Sequence, residues 1–138
     1  MSALEAFDAL IGTWETQATH PTIEGVVPGE MTFEWLEGRK FLIQRFRNEH
    51  ELFPDGICLI GPPEDGDKLV QEYFDSRGVR RTYGASLQDG VLRLWRDDPE
   101  FAQRFSATLG PDAFEGVWQV AEAPGDWKDD VKVSYRRR

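Results

Sequence analysis

The stretch VQEYFDSRGVRRTYGASLQDGVLRLWR, residues 70–96, holds three short runs rich in β-branched and aromatic side chains, parted by Asp-Ser-Arg-Gly at 75–78 and Asp-Gly at 89–90. Asp-Gly between alternating apolar residues is a strong hairpin signal, because both central positions of the favoured turn need a left-handed backbone. Residues 68–74, 79–87 and 91–96 are therefore expected to be consecutive antiparallel strands.

The same punctuation continues in both directions, with Glu-Gly at 37–38, GPPEDGD from 61, RDDPE from 96, GPD from 110 and APGD from 123. It delimits further strands near 13–20, 30–36, 40–49, 56–61, 102–109, 114–121 and 128–136. One helix is expected from Ala3 to about Leu10, capped by Ser2, with Leu4, Phe7, Leu10 and Ile11 on one face to plug or cover something. Hairpins in sequence order make an antiparallel sheet, and a sheet this long normally closes to remove its edges. The expectation is an all-β fold, an up-and-down antiparallel β-barrel of about ten strands with a short N-terminal helix, in a single domain over residues 1–138.

Alternation then maps the interior, since successive strand residues face opposite sides. Trp14, Thr16, Ala18 and His20 share one face, as do Met31, Phe33 and Trp35; Phe114, Gly116, Trp118 and Val120; and Val131, Val133 and Tyr135. In FLIQRFRN, the face carrying Gln44 and Phe46 is expected inward, because Arg45 and Arg47 in a core would need partners. Gln103, Phe105, Ala107 and Leu109 point inward by the same reasoning. Tyr83 shares parity with Arg81, Ala85 and Leu87, but alternation leaves open which face of that strand is inside.

The chain carries 16 basic and 25 acidic residues, a formal charge of −9, which repels phosphate backbones and anionic lipids alike. No nucleic-acid or membrane partner is expected. The N-terminus has no basic start or continuous apolar run, and nothing approaches the roughly 18 apolar residues of a membrane span, so the expected location is cytoplasmic. Homodimer formation is left open.

No metal site is expected, because His20 and His50 stand thirty positions apart and Cys58 is a lone thiol in an apolar run. The acidic groups at 64–67, 97–100 and 126–130 read as hairpin turns. No nucleophile elbow, phosphate loop or dinucleotide fingerprint is present.

The stretches LIGTW, FEWLEGRKFLIQRF and YFDSRGVRRTY resemble a group of uncharacterised bacterial proteins with a calycin-type, lipocalin-like β-barrel, over nearly the whole chain from Leu10 to Tyr135. That resemblance implies that Trp14 of the Gly-x-Trp turn closes one end of the barrel beneath a basic residue of the last strand, at Arg136. The run GTWETQATHPTI is also similar to the opening of nitrobindin, a ten-stranded barrel that holds haem and reacts with nitrogen oxides. Nitrobindin's iron ligand is a histidine near the C-terminus, whereas this chain has no histidine after His50. No cofactor is expected.

The leading functional expectation is a barrel that binds a small apolar or amphipathic molecule. Its walls would be Trp14, Phe33, Trp35, Phe46, Phe105 and Trp118, and its polar points Gln44, Gln103, Tyr83 and His20. Arg81 and the tyrosines, if inward, would suit a carboxylate or carbonyl. His20 reads more simply as a half-exposed rim residue where the strand leaves the sheet, its extended backbone set by Pro21. The alternatives are an enzyme in the same cavity, an isomerase, cyclase or hydrolase using His20 or a Tyr/Asp pair, and haem chemistry of the nitrobindin kind.

Overall fold

In the computed structural model, which describes residues 3–64, 66 and 68–138, ten strands follow the N-terminal helix in chain order. They are β1 (Gly12–His20), β2 (Ile23–Trp35), β3 (Leu42–Asn48), β4 (Gly56–Gly61), β5 (Val70–Asp75), β6 (Arg80–Gln88), β7 (Val91–Arg96), β8 (Ala102–Thr108), β9 (Ala113–Ala121) and β10 (Trp127–Arg137). Each pairs antiparallel with its neighbour, and β1 pairs with both β2 and β10, so the sheet is a closed barrel with no free edge. The Asp89-Gly90 turn adopts the expected left-handed backbone at both positions, with φ of 53° and 77°. The cap at Ser2 and the acidic positions Asp65 and Asp67 lie outside the described residues.

Two local readings are corrected. β2 starts at Ile23, seven residues before the expected position, because His20 pairs with Ile23 across a tight Pro21-Thr22 turn. The proline therefore marks a hairpin and not an exit from the sheet. Pro28 is accommodated in the strand, its carbonyl accepting from Glu49 N at 2.9 Å.

The helix, Ala3–Leu10, is of the 3-10 kind and seals one end of the barrel. Leu4, Phe7 and Leu10 are buried against Trp14, Phe33, Leu42 and Ile60 in one apolar cluster. Trp14 Nε1 donates to the Leu10 carbonyl at 2.9 Å, which satisfies the indole in an otherwise apolar layer. The basic residue over Trp14 is Arg137, not Arg136: its guanidinium lies 4.1 Å from the Trp14 ring centroid and donates to Ile11 O and Ala9 O at 2.7 and 2.9 Å. Strand parity accounts for the shift, because Arg137 shares the inward face of Tyr135 while Arg136 is exposed.

Candidate functional site

Above the sealed layer the barrel interior remains open as a cavity of about 510 Å³. The volume lies within the range of about 300–1,000 Å³ typical of small-molecule sites. β6 gives its depth scale: Leu87 and Ala85 belong to the sealed cluster, Tyr83 stands next and Arg81 nearest the mouth. The inward face of β6, open at the sequence level, is thus the one carrying Arg81 and Tyr83.

β3 turns Gln44 and Phe46 into the cavity, while Arg45 and Arg47 sit outside near Glu34 and Glu30, at 3.6 and 3.7 Å. β8 supplies Gln103 and Phe105, and β9 supplies Trp118. Gly116 lets this wall form, since a Cβ there would lie 2.2 Å from the Phe105 ring. Phe46, Tyr73, Tyr83, Trp118 and Phe105 make a continuous aromatic run, with successive centroids 5.8, 6.1, 5.6 and 5.1 Å apart. Trp14 and Phe33 lie in the sealed layer below, and Trp35 bonds Asp8 on the helix at 3.0 Å.

The polar groups form three clusters. Tyr83 donates to Gln103 Oε1 at 2.8 Å, and Arg81 Nη1 reaches the same oxygen at 3.5 Å. Burial pushes the Tyr83 phenol above its ordinary pKa, with Arg81 pulling the other way. Between β3 and β5, Gln71 Nε2 donates to Gln44 Oε1 at 2.9 Å. Toward the mouth, Tyr73 donates to Asp75 at 2.6 Å and Arg77 pairs with the same carboxylate at 2.6 Å. Desolvation alone would raise the Asp75 pKa, but the Arg77 and Tyr73 hydrogen bonds outweigh it and hold the carboxyl well below its usual range.

His20 is at the rim with both ring nitrogens occupied. Its Nδ1 accepts from the Thr22 backbone N–H at 3.1 Å, which places the proton of the neutral ring on Nε2, 2.8 Å from Asp130 Oδ1. Haem held by an axial histidine does not fit this arrangement. His20 is the one histidine in the cavity lining and has no free lone pair, and His50 Nδ1 accepts from Leu52 N in a rim loop. Among the described residues, no group of three or more His, Cys, Asp or Glu side chains could hold a metal ion.

Sequence reasoning missed Gln71 and Asp130. Gln71 was recoverable, because it shares strand parity with Tyr73. Asp130 was not: simple alternation with Val131 inward turns Asp130 out, but a register shift in the β9–β10 pairing between Asp129 and Lys132 brings both Asp130 and Val131 to the cavity. Cys58 also lines it, yet is only 1% exposed, and burial pushes its thiol pKa far up, as expected of a packing residue.

No family model matches this sequence, and no curated protein does. Solved structures do share its architecture. The chain is similar to the crystal structure of Rv2717c from M. tuberculosis, at 17% identity and a TM-score of 0.68, with 100% of this chain and 98% of that one covered. It is also similar to the S-type phycobiliprotein lyase CPES from Guillardia theta, at 12% identity and a TM-score of 0.64, covering 100% and 93%. At these identities the likeness is one of fold alone.

Proposed function

We propose that this protein binds a small, largely apolar molecule inside the barrel, through aromatic walls and a few orienting amide and phenol groups. The observation that carries this reading is the open cavity of about 510 Å³ above a fully packed end layer. A barrel that served only as a scaffold could continue that packing upward. Instead, Gln44, Gln103 and Tyr83 place hydrogen-bonding atoms among Phe46, Phe105 and Trp118. Few polar groups in an apolar wall fix a ligand's orientation while burial supplies the drive, about 25 cal/mol per Å² of apolar area, offset by immobilisation.

Binding is favoured over catalysis because the candidate proton carriers are already engaged. His20 is held at both nitrogens, and burial pushes the Tyr73 and Tyr83 phenols up, away from neutral pH. A cytoplasmic location is part of the proposal, supported by the formal charge of −9, which disfavours anionic lipid surfaces.

Native mass spectrometry of freshly purified protein, with titration of tryptophan fluorescence by aromatic and fatty ligands, tests the reading. A co-purified small molecule or saturable quenching is the expected result. Absence of quenching by every ligand, together with an experimental structure whose barrel is filled by its own side chains, would overturn it.

A further inference from the structure

One arginine that lines the cavity has no carboxylate in contact with it among the described residues. His20 and Asp130 are paired at 2.8 Å, and Arg77 is paired with Asp75, whose carboxylate side chain is wholly out of solvent contact. Arg96, on the neighbouring strand, is taken by Asp98 at 3.3 Å and by the Phe101 carbonyl at 3.0 Å. Arg81 alone of these cations has no carboxylate partner among the described residues, and its one side-chain hydrogen bond is the 3.5 Å contact to Gln103 Oε1. The cavity therefore holds one guanidinium with no carboxylate of the described residues in contact with it, while the Asp130 carboxylate sits at the rim beside neutral His20.

The neighbours of Arg81 add donors. Tyr83 OH and Arg81 converge on one oxygen of Gln103, and the Gln103 amide nitrogen has no protein acceptor among the described residues. Arg81 and Gln103, on two strands, thus offer N–H groups around one point, and the Tyr83 hydroxyl can turn about its C–O bond to exchange Gln103 Oε1 for a ligand oxygen, with Phe105 and Trp118 beside it and Leu94 beneath. A guanidinium presents a planar fork of donors that matches a carboxylate, whereas a neutral carbonyl engages it less strongly.

We propose that the ligand bears a single carboxylate, held by Arg81, Tyr83 and Gln103, with its apolar body lying deeper in the barrel against Leu94, Phe105 and Trp118. This assignment rests on the cavity-binding reading and narrows it to a monoanionic, amphipathic ligand. The one guanidinium without a carboxylate partner among the described residues matches one negative charge, and a second anionic group would face Asp130 at the rim.

Isothermal titration calorimetry with 2-naphthylacetate and its neutral isostere 2-naphthylacetamide tests the proposal. Wild-type protein is expected to bind the carboxylate about tenfold or more tightly than the amide, the scale of a charge-assisted hydrogen-bond pair. In Arg81→Met the carboxylate should fall to the affinity of the amide while the amide is unchanged. Arg81→Lys should restore part of the preference, because it keeps the charge without the fork. Circular dichroism and a thermal melt verify folding, and Tyr83→Phe provides a second variant expected to erode the same preference. Equal affinity for both probes in the wild type, or a preference that survives in folded Arg81→Met, overturns the carboxylate assignment and leaves the cavity reading standing. Failure of both probes to bind overturns the carboxylate assignment, whereas the cavity reading falls only if the barrel is also found filled by its own side chains.

Discussion

The Arg137 guanidinium stacks on the Trp14 ring at 4.1 Å and ties the last strand to the carbonyls of Ile11 and Ala9 at the end of the helix. First and last elements of the chain are thus joined at the sealed end of the barrel. Arg137→Ala is expected to cost about 2–3 kcal/mol, from three hydrogen bonds that its charged side chain donates, to the Pro111, Ile11 and Ala9 carbonyls, and one cation–π contact, with losses that do not simply add. Urea denaturation should show the lowered midpoint, while ligand affinity at the opposite end stays unchanged. Loss of binding without loss of stability would contradict this division of labour.

Gln44 and Gln103 stand on different walls of the cavity, β3 and β8, and replacing either by Leu separates orientation from burial. In Gln103→Leu the Tyr83 hydroxyl loses its acceptor, so stability should drop by about 1 kcal/mol while the barrel still forms. Ligands with a carbonyl or carboxylate should weaken by about tenfold, and plain hydrocarbons hardly at all. In Gln44→Leu the partner lost is Gln71, so the effect should fall on groups that reach the wall formed by β3 and β5. Fluorescence titration with matched polar and apolar ligands checks both variants; an equal loss for both ligand types would rule out an orienting role.

Asp75 links acid stability to the mouth of the barrel. Its folded-state pKa is depressed, so its contribution is present above the unfolded carboxyl value of about 3.9 and is lost as pH falls through the lower folded value. Asp75→Asn removes the charge that Arg77 and Tyr73 hold, and should lower the melting temperature most near neutral pH. The gap between wild type and variant should narrow as pH falls from about 5 toward 2. A gap that is constant over this range would show that Asp75 acts through its turn geometry and not through its charge.

His20 is engaged by Thr22 and Asp130, so added haemin should produce no stoichiometric Soret band that depends on it. Freshly purified protein should be colourless. Titration of wild type and His20→Ala with haemin, followed by absorbance, decides the matter: a Soret band present in the first and absent in the second would make His20 an iron ligand.

The sequence by itself determined the barrel. Turn signals such as Asp89-Gly90 act locally, and period-two alternation assigns Trp14, Phe33, Gln44 and Phe105 to one face without knowledge of their neighbours. Two kinds of information were beyond its reach. Alternation is symmetric between faces, so only closure of the sheet settled that Arg81 and Tyr83 point inward, where their aliphatic and aromatic bodies pack and their polar atoms meet Gln103 from another strand. Local irregularity also breaks the count: the register shift near Asp129 reverses parity and brings Asp130 to His20, 110 positions away in the chain. Which layer of inward residues is packed solid and which stays hollow was likewise a tertiary decision, because it depends on where the helix seats Leu4, Phe7 and Leu10 across one end of the barrel.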